Sequence, residues 1–159
     1  MAAAHGLTAR TPISAAEQSL GIEPVLVDPG DPLDIVITRA GASPATRVLG
    51  VIDAAGVLIG VVTSRDLVAA IVGRLAPGAL LADVHDVDGM AQYDRYVEAR
   101  VAADLMREPA AIRSTATLGE AFRLMQERHL SGVYLVDPDG RPVGYVDGLE
   151  LAAAHLAAG

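Results

Sequence analysis

No cysteine occurs among the 159 residues, which excludes disulfides, thiolate metal sites and cysteine nucleophiles. Lysine is missing as well. All twelve basic residues are arginine, so a P-loop lysine, a Schiff base and a lysine general base are excluded too. There is no tryptophan, one phenylalanine and four tyrosines, so the core is expected to be built from Ala, Val, Leu and Ile. No apolar run reaches the ~20 residues that a membrane span needs. The opening MAAAHGLTAR lacks the basic start and apolar stretch of a secretory signal. These absences point to a cytoplasmic protein without a membrane partner. Positive charge is scarce, and the net charge of −8 would repel a polyanion, so no nucleic-acid partner is expected. A small nucleotide is compatible with that field, because a few local hydrogen bonds can hold it.

What is present is a hydrophobic chain, 52% apolar by residue, that repeats itself. VIDAAGVLIGVVTSRDLVAA (51–70) aligns without gaps on LVDPDGRPVGYVDGLELAAA (135–154). Asp53 pairs with Asp137, Gly56 with Gly140, Gly60 with Gly144 and Leu67 with Leu151. Upstream, DPLDIV (31–36) matches ATLGEA (116–121) after a one-residue gap.

Each copy reads strand, helix, strand, strand, helix. The first strand is PVLV (24–27) or AAI (110–112). In the second copy Thr117 and Glu120 have capping-box spacing, and Leu118, Ala121, Phe122 and Met125 fall on one helical face. In the first copy Asp31 can cap, with Pro32 suited to the first helical position. Asp137-Pro138-Asp139-Gly140 and its weaker counterpart 53–56 read as tight turns. Leu67, Val68, Ile71, Val72 and Leu75 are expected to form the apolar stripe of the helix closing copy one. Half a chain of this kind exposes too much apolar surface to stand alone. The expected fold is therefore α/β (α+β), with two tandem β-α-β-β-α repeats packed sheet to sheet about a pseudo-twofold axis. Two clefts between the halves would be natural ligand sites. The expected division is residues 1–75 for the first repeat, 76–100 for a linker leading through a loop into a helix, and 101–159 for the second repeat.

The pattern Gly60-Val61-Val62-Thr63-Ser64-Arg65-Asp66 ends a strand and begins a helix. Two readings fit it. A carboxylate at Asp66 can accept from two neighbouring hydroxyls such as those of a ribose, Thr63 can donate and accept, and bare Gly60 admits a flat ring. Alternatively, Thr-x-x-Asp is a helix-capping pair whose acid suits the helix dipole. The second copy, Gly144 to Glu150, keeps a cap and an acid at Asp147 and Glu150 but loses the hydroxyl of Thr63. Two carboxylates there would repel an anionic ligand.

The repeat, the D-x-x-G turn and the G-x-x-T-x-x-D junction, together with VAADLM (101–106), TLGEAF (117–122) and VDPDG (136–140), resemble a CBS domain pair, or Bateman module. The resemblance implies that adenosine-containing ligands (AMP, ADP, ATP or S-adenosylmethionine) bind between the repeats as regulators, with no cofactor required. It gives Thr63 and Asp66 the ribose and the backbone of Val25, Leu26 and Val27 the adenine. Arg47 and Arg65 are candidates for phosphate contacts by position and charge; the alternative for each is a plain surface arginine, which is the preferred reading for Arg47. Ala111, Ile112, Gly144, Asp147 and Glu150 would form a degenerate second site. The resemblance also implies a homodimer acting on an effector protein in trans.

Asp83, His85, Asp86 and Asp88 offer hard ligands without a metal-site spacing and read as a solvated acidic loop. His129 and His155 fall near helix ends, where a partly cationic ring suits the dipole. No nucleophile motif such as G-x-S-x-G is present, so no enzymatic activity is expected. A dimerisation module with vestigial ligand sites is the alternative reading.

Overall fold

The computed structural model describes residues 7–157. In chain order the elements are α1 (Ile13–Leu20), β1 (Leu26–Val27), α2 (Leu33–Ala42), β2 (Val48–Ile52), β3 (Leu58–Thr63) and α3 (Ser64–Leu75). They continue with α4 (Pro77–Leu81), α5 (Val87–Glu98), α6 (Ala102–Leu105), β4 (Ala111–Arg113), α7 (Leu118–Arg128), β5 (Gly132–Val136), β6 (Pro142–Asp147) and α8 (Gly148–Ala157). Both halves therefore have the β-α-β-β-α order read from the sequence. Each sheet is three-stranded, β1-β2-β3 and β4-β5-β6, with the first pair parallel and the second antiparallel. The duplication extends to irregularities: both hairpins shift register at equivalent places, Val51/Ile52 and Leu135/Val136.

The turns form for the reasons their residues suggest. Asp137 Oδ1 accepts from the amides of Asp139 and Arg141, both at 2.9 Å, while Gly140 takes φ +83°. Asp53 serves Ala55 and Val57 in the same way beside Gly56 at φ +80°. A side chain at either glycine would force an L-residue into the left-handed region. The capping box of α7 is present, with the Thr117 amide 2.7 Å from Glu120 Oε2.

Three local expectations are corrected. Asp31 does not cap α2; its carboxylate accepts from the Asp28 amide at 2.9 Å and Pro32 takes the cap position. The buried stripe of α3 is Asp66, Leu67, Ala70 and Gly73, whereas Val68 and Leu75 are 63% and 81% exposed. Small residues win that face because α5 presses on it, with its Val97 Cα 3.4 Å from where a Cβ on Gly73 would stand. Phe122 of α7 is likewise exposed while Leu118, Ala121 and Met125 are buried. The core is built from Ala, Val, Leu and Ile as expected, apart from Met125 and two tyrosines: Tyr134 and Tyr145 are the largest fully buried side chains, with ring centroids 5.0 Å apart. Their hydroxyls are satisfied internally: Tyr134 donates to the Val48 carbonyl at 2.7 Å and Tyr145 to Asp147 at 2.9 Å. Tyr134 thereby ties β5 of one repeat to β2 of the other.

The segments leading into each repeat cross over. Before repeat two, Arg100 accepts from the Leu33 amide and Ala102 donates to Asp31, so α6 lies on repeat one. Before repeat one, Thr11 accepts from the Leu118 amide and Ile13 donates to Ala116, so α1 lies on repeat two. Each repeat thus covers its neighbour's core with its own lead-in.

Candidate functional site

A cavity of about 750 Å³ opens at the N-terminus of α3. Its walls come from five parts of the chain: the start of α3 from Thr63 to Asp66, the end of α4 and the loop after it with Leu80, Asp83 and Val84, the helix α5 with Tyr93 and Tyr96, the lead-in residue Arg107, and His129 to Ser131 of repeat two. Arg47 completes the rim.

Thr63 holds an extended backbone, and its hydroxyl accepts from the Asp66 amide at 3.1 Å, satisfying one of the amides that a helix start leaves without a partner. Asp66 is buried, its side chain 1% exposed. Its Oδ2 accepts from Arg107 Nε at 2.7 Å; its Oδ1 accepts from Arg107 Nη2 at 2.9 Å and from the Tyr96 hydroxyl at 2.6 Å. Tyr96 in turn accepts from Gln92 at 2.6 Å. Burial alone would raise the Asp66 carboxyl, but the hydrogen bonds from Arg107 and Tyr96 together hold it below the ordinary aspartate range. Burial and the neighbouring Asp66 push the Tyr96 phenol upward.

The equivalent place in repeat two is arranged differently. Asp147 is fully buried and caps α8, its Oδ1 accepting from the Leu149 and Glu150 amides at 3.1 and 3.2 Å. Arg47 reaches across from repeat one, donating to Asp147 at 2.8 Å and to Glu150 at 3.2 Å. The two carboxylates expected to repel an anion therefore share one guanidinium. Burial, reinforced by Asp147, raises the Tyr145 phenol.

Of the residues singled out in the first copy, Arg47, Thr63, Arg65 and Asp66 line the cavity together. Val25, Leu26, Val27 and Gly60 do not. The Val25 carbonyl accepts from the Gly50 amide at 2.9 Å and the Tyr134 hydroxyl at 3.2 Å, and that of Leu26 from Arg39 at 3.0 Å. The open face of Gly60 is filled by the chain itself: a Cβ there would run into Met106 and stand 2.7 Å from the Arg107 carbonyl. Gly144 is covered in the same manner by Glu17 of α1, at 2.9 Å. Ala111 and Ile112 pair with Tyr134 and Leu135 in the sheet. A hollow of about 490 Å³ beside α7 and α8 contains none of the second-site residues. In the acidic stretch Asp86 caps α5 through the Gly89 amide at 2.7 Å, and among the described residues no three potential metal ligands gather.

Tyr96 and Arg107 are the site residues that the sequence did not mark. Neither sits in a motif. One lies in the linker and the other follows α6, and only the crossing of the lead-in brings Arg107 to Asp66.

The family model described as CBS domain matches residues 21–73 and 101–154, more than half the chain. The comparison with curated proteins finds no significant match. Among solved structures, a CBS domain-containing protein of Thermotoga maritima is similar at 20% identity and TM-score 0.72, over 92% of this chain and 95% of that one. The CBS-pair protein CBSX2 of Arabidopsis thaliana in complex with AMP is similar at 23% identity and TM-score 0.62, over 85% and 90%. The CBS domain pair of protein MJ0100, in complex with 5′-methylthioadenosine and S-adenosyl-L-methionine, is similar at 16% identity and TM-score 0.60, over 87% and 94%. At these identities the likeness is one of fold.

Proposed function

The chain belongs to the CBS-domain family as a tandem pair, and from that premise we propose that it is a regulatory module binding an adenosine-containing ligand in the cavity at the start of α3. The observation that carries this reading is the convergence, on a 750 Å³ space between the repeats, of Thr63, Arg65 and Asp66 with Arg47 on the rim. A carboxylate and a hydroxyl suit a ribose diol, and exposed Arg65 beside a helix N-terminus suits a negatively charged tail. CBSX2 with AMP and the MJ0100 pair with S-adenosyl-L-methionine are precedents for the ligand class on this fold. The second copy's Gly144, Asp147 and Glu150 form an idle site, closed by Arg47 and Glu17. A ligand-dependent change would reach an effector in trans, through a homodimer, and such coupling requires different ligand affinity in the two states.

Three observations favour a second reading, a dimerisation module whose ligand sites are vestigial. Asp66 is already paired within the chain, both motif glycines are covered, and α3 leaves Val68 and Leu75 exposed. A thermal-shift screen with AMP, ADP, ATP, S-adenosylmethionine and guanine nucleotides separates the two. A concentration-dependent rise with adenosine compounds only supports the sensor, because native-state ligands stabilise by mass action. No shift with any of them at millimolar concentration favours the dimerisation module.

A further inference from the structure

The carboxylate that a ribose would need is in use. An ionised carboxylate offers about four acceptor positions, and Asp66 spends three of them on Arg107 and Tyr96, behind a surface that leaves its side chain 1% exposed. A ligand diol reaches it only by displacing one or both. The two are not equivalent. The Arg107 backbone is fixed to Val61 by amide–carbonyl bonds of 2.8 and 3.1 Å, while its side chain is 39% exposed and borders the cavity. Its guanidinium can therefore leave Asp66 by side-chain rotation alone. Once it leaves, it is a cation beside a ligand, and it binds best if that ligand supplies an anion.

We propose that Arg107 is the specificity-determining residue of this cavity, its guanidinium passing from Asp66 to the ligand's phosphate when the ribose takes Asp66. The ligand class is then a phosphorylated nucleoside rather than a bare nucleoside or one with a cationic tail. This rests on the reading of Asp66 as the ribose acceptor. Tyr96 is a positioning residue that acts through the same carboxylate: it competes with the diol but has no charge to transfer. Arg107 therefore controls the ratio of nucleotide to nucleoside affinity, and Tyr96 controls both affinities alike.

Calorimetric titration of the full chain and its variants with AMP, adenosine and S-adenosylmethionine tests this. The wild type should bind AMP at least about tenfold more tightly than the other two, the equivalent of one charge-assisted hydrogen bond. Arg107→Met should raise adenosine affinity and lower AMP affinity, bringing their ratio towards one. Tyr96→Phe removes a single hydroxyl and should raise both by about tenfold with the ratio kept. If Arg107→Met does not fold, Arg107→Lys replaces it: the ammonium can still meet the phosphate, so the preference for AMP must persist. Wild-type binding with equal affinity for AMP and adenosine, an unchanged ratio in Arg107→Met, a lost preference in Arg107→Lys, or no gain in Tyr96→Phe overturns the proposal while leaving the sensor reading in place. Absence of binding by every variant overturns the sensor reading itself, and the transfer with it.

Discussion

Arg107→Met and Asp66→Asn cut one ion pair from opposite sides and leave different groups behind. Arg107→Met strands a carboxylate that is 1% exposed, with Tyr96 its remaining side-chain donor. Removing one partner of a buried pair costs about 3–5 kcal/mol, and the surviving Tyr96 bond puts this case at about 3 kcal/mol. Asp66→Asn strands a guanidinium that is 39% exposed and can turn into the cavity to be rehydrated. Screening by water brings that loss down to about 1 kcal/mol. In a chain of this length about 1 kcal/mol moves Tm by about 2–4 °C, so the expected drops are about 6–12 °C and about 2–4 °C. The double variant leaves no charge unpaired and should lose less than the sum of the single variants, with a coupling of about 1–2 kcal/mol. Thermal and urea denaturation followed by circular dichroism measure all four corners of the cycle. Equal losses for the two single variants, or a larger one for Asp66→Asn, would refute the assignment of the cost to a stranded buried carboxylate.

The pH dependence gives the same pair an independent signature. In the wild type the Asp66 carboxyl lies below its ordinary value, because the Arg107 and Tyr96 bonds outweigh burial. Its contribution is therefore complete above about pH 4, the unfolded value, and disappears as pH falls through the lower folded one. Removing Arg107 takes away the largest opposition to burial, itself the strongest single influence on this carboxyl, so the folded value is expected to rise above the unfolded one. The stranded carboxylate is then tolerated below about pH 4, where it is protonated, and destabilises as pH rises through its folded value. The gap in Tm between wild type and Arg107→Met should shrink as pH is lowered from about 7 to about 4. A gap that is constant across that range means the variant fails for a reason other than the charge.

Thr63→Ala removes the N-cap of α3 and should cost about 1 kcal/mol by urea denaturation; no loss would mean that the 3.1 Å contact contributes nothing. Gly60→Ala drives a methyl group into Met106 and the Arg107 carbonyl, so it should cost about 1–3 kcal/mol and loosen the bridge to Val61. A fully stable Gly60→Ala would mean that the lead-in segment packs elsewhere. Asp66→Ala should weaken nucleotide binding much more than Glu150→Ala in the same titration, and equal effects would remove the main site from the first copy.

The fold was legible because the duplication states it twice. Gly56 and Gly140 fix turns that only a residue tolerant of positive φ completes cheaply, and the Thr117–Glu120 box marks a helix start by chemistry contained in four residues. Such devices are local, so their physics is complete within the segment that encodes them. Periodicity misplaces the buried stripe of α3 for the opposite reason. Periodicity ranks Val68 and Leu75 above Ala70 and Gly73, but burial there is decided by how closely α5 approaches, which favours the smallest side chains. The core is aliphatic as the composition implies, but composition does not place the exceptions: two tyrosines fill the junction where the sheets meet and find acceptors there.

The candidate site divides along the same line. Thr63 and Asp66 are three residues apart and could be paired from the sequence. What those residues do depends on Tyr96 and Arg107, thirty and forty-one positions away. Arg47 and Asp147, a hundred positions apart, are linked in the opposite direction. Both links follow from one topological fact, that each repeat's lead-in segment and rim reach the other repeat's motif. A duplicated sequence predicts two equivalent clefts, but a chain has only one linker, and α5 stands over the first cleft alone. Its Tyr96 and the following Arg107 make the first-turn acid Asp66 a buried, three-fold bonded one. Glu150 keeps a side chain that is 36% exposed and takes one bond from Arg47. The inequality of the two sites therefore has two sources: the exchange of Thr63 for Asp147, which captures Arg47 over the second site, and the single linker, which stands over the first.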